Sequence, residues 1–316
     1  MNSAPYILAD LPVIDLELTL HFEQWVDTGP GRRFGEPPRA ERPLGEGLSV
    51  PVAEPTATVL RGLFGHALKH LLHPDLPPHI DPPAQSEYWP LCHPRNEAFF
   101  VLIQCPSGSG AGCRLPLVLR FFGLNDTWMR LCVEAFCAFQ ARGFGPERVP
   151  YRVEEGELRI LDTPWSPDWR PSGANVFDLE LLSPASLKHH GSPLDQDGDL
   201  LQAILISAQR HTEQIVRAYA RNPVIPSRTI CDKTRKALCE ASEITWAALE
   251  PVECLLRSGK RKIPLDLSGI RGSIRIEGPP ELERYLRVAE LIGIGSRLAY
   301  GNGRVRLHVG KTVSPG

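Results

Sequence analysis

The two halves of this chain finish alike: ARGFGPERVPYRV at residues 141–153 and AYGNGRVRLHV at 299–309 each carry a helical pattern through glycines into an alternating, strand-like run. Such a stop is what a helix C-terminus followed directly by a strand requires, because glycine reaches the left-handed conformation that caps a helix. The segments before it also correspond. In the first half, 13–21 alternates apolar and polar as a half-buried strand does. Residues 57–73 place Leu60, Phe64, Ala67, Leu68 and Leu71 on one helical face and stop at Pro74. Apolar runs 98–104 and 115–122 flank the connector SGSGAG, a helical pattern runs from Asn125 or Asp126 to Gly143, and 148–161 alternates again. The second half reads as strand 175–183, helix 196–221, strand-like segments 243–256 and 267–277 around the basic turn RSGKRK, a helix opened by Pro279 and Pro280 and closed at Gly293, and a last strand GRVRLHV.

Strand-helix-strand-strand-helix-strand, written twice, predicts an α+β protein of two tandem ferredoxin-like (βαββαβ, RRM-like) domains. Residues 222–256 fit the scheme least well. The expected domains are 1–165 and 173–316, joined by TPWSPDWRPSG at 163–173. A length of 316 residues suits two cores. Thirty-one prolines gather in 28–56, 74–94 and 163–171, which argues for long loops there.

No stretch of about 18 uncharged apolar residues supports a membrane span. The first twenty residues carry Asp10, Asp15 and Glu17 and no basic leader, so a cytoplasmic location is expected. The eight cysteines form no CxxC pair, as suits reduced thiols. Cys92, His93, Cys105 and Cys113 could gather a zinc ion, but structural zinc uses tighter paired spacing, and no metal or cofactor is expected. Charge is uneven. Residues 1–172 hold 15 Lys and Arg against 21 Asp and Glu, and residues 173–316 hold 20 against 16, so the second half is the better candidate for a polyanion partner.

Between the last helix and the last strand, Gly293, Gly295, Gly301 and Gly303 bracket Ser296, Arg297 and Tyr300, with Asn302 and Arg304 alongside. A helix cap and a strand-entry bulge explain one or two of these glycines. Four, interleaved with arginines, suggest a loop whose main-chain N–H groups approach a phosphate. It is not a nucleotide-binding loop of the usual kind, where the glycines precede a helix.

This loop (GIGSRLAYGNGRVRL), LSGIRGSIRIEG upstream, the LRGLFGHAL helix and the glycine-ended first-half helix together resemble the CRISPR-associated repeat-processing endoribonucleases, the Cas-six family of the RAMP superfamily. The resemblance covers most of the chain, and the C-terminal loop is its most specific motif. It implies binding of CRISPR precursor RNA and mature guide RNA, and one metal-independent cut in which the 2′-hydroxyl attacks the scissile phosphate. The products are then a 2′,3′-cyclic phosphate and a 5′-hydroxyl. It also implies contact with other CRISPR effector-complex subunits.

That chemistry needs proton transfer at neutral pH and positive groups around the phosphate. His66, Lys69, His70 and His73 fall within about a 100° arc of the 57–73 helix. His66 or His70 is the candidate acid or base, with Lys69 or Arg61 supporting the phosphate; a solvated helix face would show the same residues. His21, Tyr88 and Lys188-His189-His190 are secondary candidates, and His211 is expected to pack or face solvent. Lys260, Arg261 and Lys262 form the densest basic cluster and are expected to contact RNA backbone. Two rivals remain: a catalytically silent RAMP subunit that binds guide RNA, and a generic tandem RNA-recognition module, for which neither half shows a clear aromatic strand.

Overall fold

A computed structural model describes residues 6–27, 56–72, 101–104, 111–123, 126–138, 140, 143, 149–189, 192–193, 200–256, 265–298 and 301–310. Two compact units divide the chain. One is Val13–Leu161 with Ala299–Gly301; the other is Met1–Pro12, Asp162–Leu298 and Asn302–Gly316.

The first unit contains β1 (Val13–Asp27), α1 (Thr56–Leu72), β2 (Val101–Gln104), β3 (Ala111–Phe122), α2 (Asp126–Ala138) and β4 (Tyr151–Leu161). Its sheet runs β2-β3-β1-β4 with antiparallel neighbours, the ferredoxin-like order expected from the sequence. Alternation fixes the register: Leu16, Leu18 and Leu20 of β1 lie opposite Leu119, Leu117 and Leu115 of β3, and all six are buried. A one-residue slip would turn this set to solvent, so the pairing is strongly specified. On the covered face, Phe64 of α1 stacks on Phe136 of α2 with centroids 5.6 Å apart. Both rings are fully buried, each contributing about 2–3 kcal/mol by removal from water.

The second unit contains β5 (Val176–Ala185), β6 (Lys188–His189), β7 (Ser192–Pro193), α3 (Leu200–Tyr219), α4 (Arg228–Glu240), β8 (Glu243–Val252), β9 (Leu255–Leu256), β10 (Leu265–Asp266), β11 (Gly269–Glu277), α5 (Leu282–Ile292) and β12 (Val305–Val309). Its main sheet runs β12-β5-β11-β8, again antiparallel throughout. Phe177, Leu179, Leu181, Ile274, Ile276, Val305 and Leu307 form the buried face. The partly buried helices α3 and α5 pack against each other on this unit.

Two features depart from the expected scheme. The first is α4, within the stretch that fits the sequence pattern least well. It is a polar helix that buries only Cys231 and Leu238, so periodicity has little to register. Its order rests on Ser227, whose carbonyl takes the Ile230 and Cys231 N–H groups, and on ion pairs such as Arg235–Asp232 at 2.7 Å.

The second is the segment 163–173. It is not a free connector, because Trp165 is 1% exposed and its Nε1–H donates to the Leu11 carbonyl at 2.8 Å. Residues 6–12 run beside it: the Ala9 N–H donates to the Trp165 carbonyl, and Leu8 and Val224 exchange main-chain bonds of 3.0 and 2.8 Å. Arg284 closes this contact, its guanidinium 4.9 Å from the Tyr6 ring and 4.8 Å from the Trp169 ring. It also donates to the Pro164 carbonyl. Burial holds the Arg284 guanidinium below its ordinary range. Among the described residues no helix is long and apolar enough to cross a membrane.

Candidate nucleic-acid interface

The loop between α5 and β12 begins where α5 exhausts its hydrogen bonds. Gly293 has φ +99° and ψ 174°, an extended positive-φ conformation that only glycine adopts readily and not the left-handed helical cap expected, and it donates its N–H back to the Ala289 carbonyl at 2.7 Å. Beyond it six described residues are tied down, Ile294 to Ser296 and Asn302 to Arg304. Ile294 donates to the Gly303 carbonyl at 2.8 Å, Ser296 to the Ser186 carbonyl at 3.0 Å and Gly303 to the Pro184 carbonyl at 2.9 Å. The Gly295 N–H meets Ser207 Oγ at 2.7 Å, and the Arg304 N–H meets Ser183 Oγ at 2.9 Å. Asn302 is buried, its Nδ2 donating to the Leu267 carbonyl at 2.7 Å.

These contacts correct the reason for the glycines. Six main-chain N–H groups, from Gly293 through Ser296 and at Gly303 and Arg304, have protein acceptors, so they form no open cradle. The glycines are needed because backbone meets backbone. At Gly303, with φ +69°, a Cβ would lie 1.8 Å from the Ile294 oxygen. What the loop turns outward is side chain: Ser296 and Arg297 are exposed. Arg297 has φ +68°, a left-handed conformation uncommon for a residue with a Cβ. Asp266 is the nearby acid; hydrogen bonds from Ser268, side chain then main chain, hold its carboxyl below the usual range, and the Arg297 charge adds to this.

Helix α3 supports the loop from below through two residues that share one face, four apart. Ser207 takes the Gly295 N–H, and the His211 imidazole bonds the Gly293 main chain. His211 packs, as expected. Burial lowers its pKa to about 4, and its Nδ1 has no hydrogen-bond partner. The imidazole is neutral at pH 7. Because its folded pKa is depressed, the stability linked to it is full above about pH 6.5 and is lost as pH falls through about 4. Replacing His211 with Phe should flatten the stability-versus-pH curve in that window, measured by urea unfolding at fixed pH values.

The α1 candidates are differently placed from one another. Leu60, Phe64, Ala67 and Leu68 are buried, and His70 is half-buried in the last turn. Lys69, expected on a solvated arc, is 8% exposed. On the helical wheel Lys69 lies about 155° from the middle of the Leu60, Phe64, Ala67 and Leu68 face, so its burial comes from neighbours outside that face. A positive charge in the last turn also meets the negative end of the helix dipole. His66 and Arg61 lie in α1, but their side chains are outside the described set. Tyr300, Lys260, Arg261, Lys262, His73, Tyr88, His190, Cys92, His93 and Cys105 also fall outside the described residues, as do the side chains of Cys113 and His189. Lys188 is exposed in β6. Among the described residues no group of His, Cys, Asp or Glu is arranged to hold a metal ion.

One secondary candidate gains a setting. His21 of β1 is 30% exposed, with Nε2 2.5 Å from Glu154 Oε2 on β4. The Ser207/His211 pair is new from the structure; their spacing on a helix is legible in the sequence, but not which loop they meet.

No protein-family model and no curated protein sequence matches the chain. Among solved structures, it is similar to a Thermus thermophilus Cas6 product complex, at 17% identity and TM-score 0.50, over 95% of this chain and 100% of that one. It is also similar to a partial Cas6-RT-Cas1–Cas2 complex, at 11% identity and TM-score 0.52, over 96% of this chain and 47% of that one. The chain has a Cas6-like fold.

Proposed function

We propose that this chain binds CRISPR repeat RNA in precursor transcripts and cuts it once, without a metal ion, to give mature guide RNAs. The observation that carries the reading is the Cas6-like fold over nearly the whole chain, to a structure named as a product complex. Two ferredoxin-like units and a glycine-bearing α5–β12 loop with outward Ser296 and Arg297 agree with it.

In this reading RNA backbone lies against Ser296, Arg297 and Arg304, and Lys260, Arg261 and Lys262 add phosphate contacts that carry affinity without sequence information. His70 or His66 moves the proton. A neutral imidazole takes it from the 2′-hydroxyl, O2′ bonds to phosphorus as the P–O5′ bond breaks, and O5′ leaves as the 5′-hydroxyl after gaining a proton. Lys69 or Arg61 offsets the charge that builds on the phosphoryl oxygens. The loop's internal hydrogen bonds pre-organise Arg297, so little ordering accompanies binding. The two units would divide these tasks, proton transfer in the one that holds α1 and backbone binding at the loop of the other. Contacts with other CRISPR proteins would use surfaces outside this site.

Incubation with repeat RNA in EDTA, beside a substrate carrying one 2′-deoxy nucleotide at the cut, tests the chemistry. Cleavage should persist in chelator, vanish with the deoxy sugar and leave a 2′,3′-cyclic phosphate. A requirement for Mg²⁺ would overturn the mechanism, and binding with no cleavage of any repeat would favour the silent guide-RNA-binding subunit.

A further inference from the structure

On the sheet of the first unit, His21 lies directly opposite Arg114 of β3 on one side and Arg152 of β4 on the other. Directly opposed residues project to the same face of a sheet. Leu20 and Phe22, which flank His21 in β1, are buried, so this row stands on the face turned away from the core. Three strands at about 4.8 Å spacing make it about 10 Å wide.

When the His21 imidazole is protonated, such a row opposes folding. Basic groups abreast on neighbouring strands repel, and sheets place opposite charges there instead. The rest of this face obeys that rule. Arg120 and Asp15 form a two-bond pair, both bonds 2.7 Å, and Arg159 contacts Glu17 at 2.9 Å and Glu157 at 2.7 Å. Beside the three basic residues of the His21 row stands one acid that reaches two of them: Glu154 lies 2.5 Å from His21 and 3.8 Å from Arg114. Arg152 makes no ion pair among the described residues. Arg114 is 70% exposed, and Arg152 is exposed too.

We propose that the Arg114–His21–Arg152 row is a binding subsite for the phosphate backbone of RNA, with Glu154 as an internal counter-ion that the RNA displaces. The proposal rests on the RNA-binding reading above and extends it to a surface outside α1 and the glycine loop. Two exposed guanidinium forks suit phosphate oxygens. An exposed strand surface that presents guanidinium groups suits backbone contacts that carry no sequence information.

Fluorescence anisotropy with labelled repeat RNA across a salt series tests this. Each phosphate contact contributes about 0.7–0.9 to the slope of log K against log salt. R114A/R152A should therefore flatten the slope by about 1.5, and weaken binding about 30-fold at 0.1 M salt. E154Q should tighten binding several-fold, a gain that a misfolded variant cannot produce. Unchanged slope and affinity in R114A/R152A, or no gain in E154Q, overturns the subsite. Wild-type protein that binds repeat RNA with the full slope but leaves it intact overturns the nuclease reading and not this one. Wild-type protein that binds no RNA overturns the subsite.

Discussion

Replacing His70 with alanine should slow cleavage of repeat RNA about 100- to 10,000-fold, the usual range for loss of a general acid or base, while the RNA dissociation constant stays within a factor of a few. The split follows from the geometry. His70 sits half-buried in the last turn of α1, whose other face is locked by Leu60, Phe64 and Leu68, so truncation leaves the helix in place. It removes one proton-handling group and no fixed charge. The same measurement on H66A completes the assignment, since the two positions are alternatives for one role. A large loss in one and a small loss in the other names the residue. If both retain wild-type rates, α1 does not carry the chemistry, and the proposed roles of Lys69 and Arg61 beside it fall as well. Single-turnover rates at saturating protein are the proper readout, because tight product binding would mask the step.

Replacing Gly303 with alanine should destabilise the second unit by about 3 kcal/mol and lower its Tm by roughly 10 °C. Left-handed φ alone costs an L-residue about 1–2 kcal/mol. The larger difficulty is contact, since the added methyl would sit 1.8 Å from the Ile294 oxygen. That oxygen belongs to the residue whose N–H bonds the Gly303 carbonyl, so relief must break the 2.8 Å bond joining the two ends of the loop. Gly173 is the control. It also has positive φ, +84°, but nothing lies within 4 Å of its would-be Cβ, so Gly173→Ala carries the conformational cost without the collision. Equal Tm losses in the two variants would show that the loop is not held by backbone contact. RNA affinity of Gly303→Ala, measured below its Tm, should fall too, because Arg297 lies within the loop that the Ile294–Gly303 bond closes.

The architecture is legible in the sequence because alternation and helical periodicity leave little freedom. VIDLELTLH has one buried face whichever partner it meets, and the glycine-ended helices announce their strands. α4 escapes such a reading because ion pairs and a carbonyl from Ser227 order it, with only two buried side chains. The glycine loop is visible in the sequence but its physics is not. Sequence shows that glycines are present, while whether they admit a ligand or the chain's own backbone depends on Ser183, Pro184, Ser186 and Ser207, residues about 90 to 120 positions away. Lys69 illustrates the reverse case: a helical wheel measures angles, and neighbouring elements decide how far round the wheel the packed face extends. The basic row on β1, β3 and β4 needs the register, since neither Arg114 nor Arg152 is near His21 in the chain.

Residues 6–12 fold with the segment that starts at Asp162, so everything from Val13 to Leu161 is an insertion into the other unit, entering and leaving it beside Trp165. A cut at the apparent midpoint therefore does not yield two halves: a fragment beginning at Asp162 leaves the Trp165 indole without its acceptor and the Val224 edge unzipped. The natural cassette for transplantation is 13–161, excised whole, with the short leading ribbon kept on the recipient.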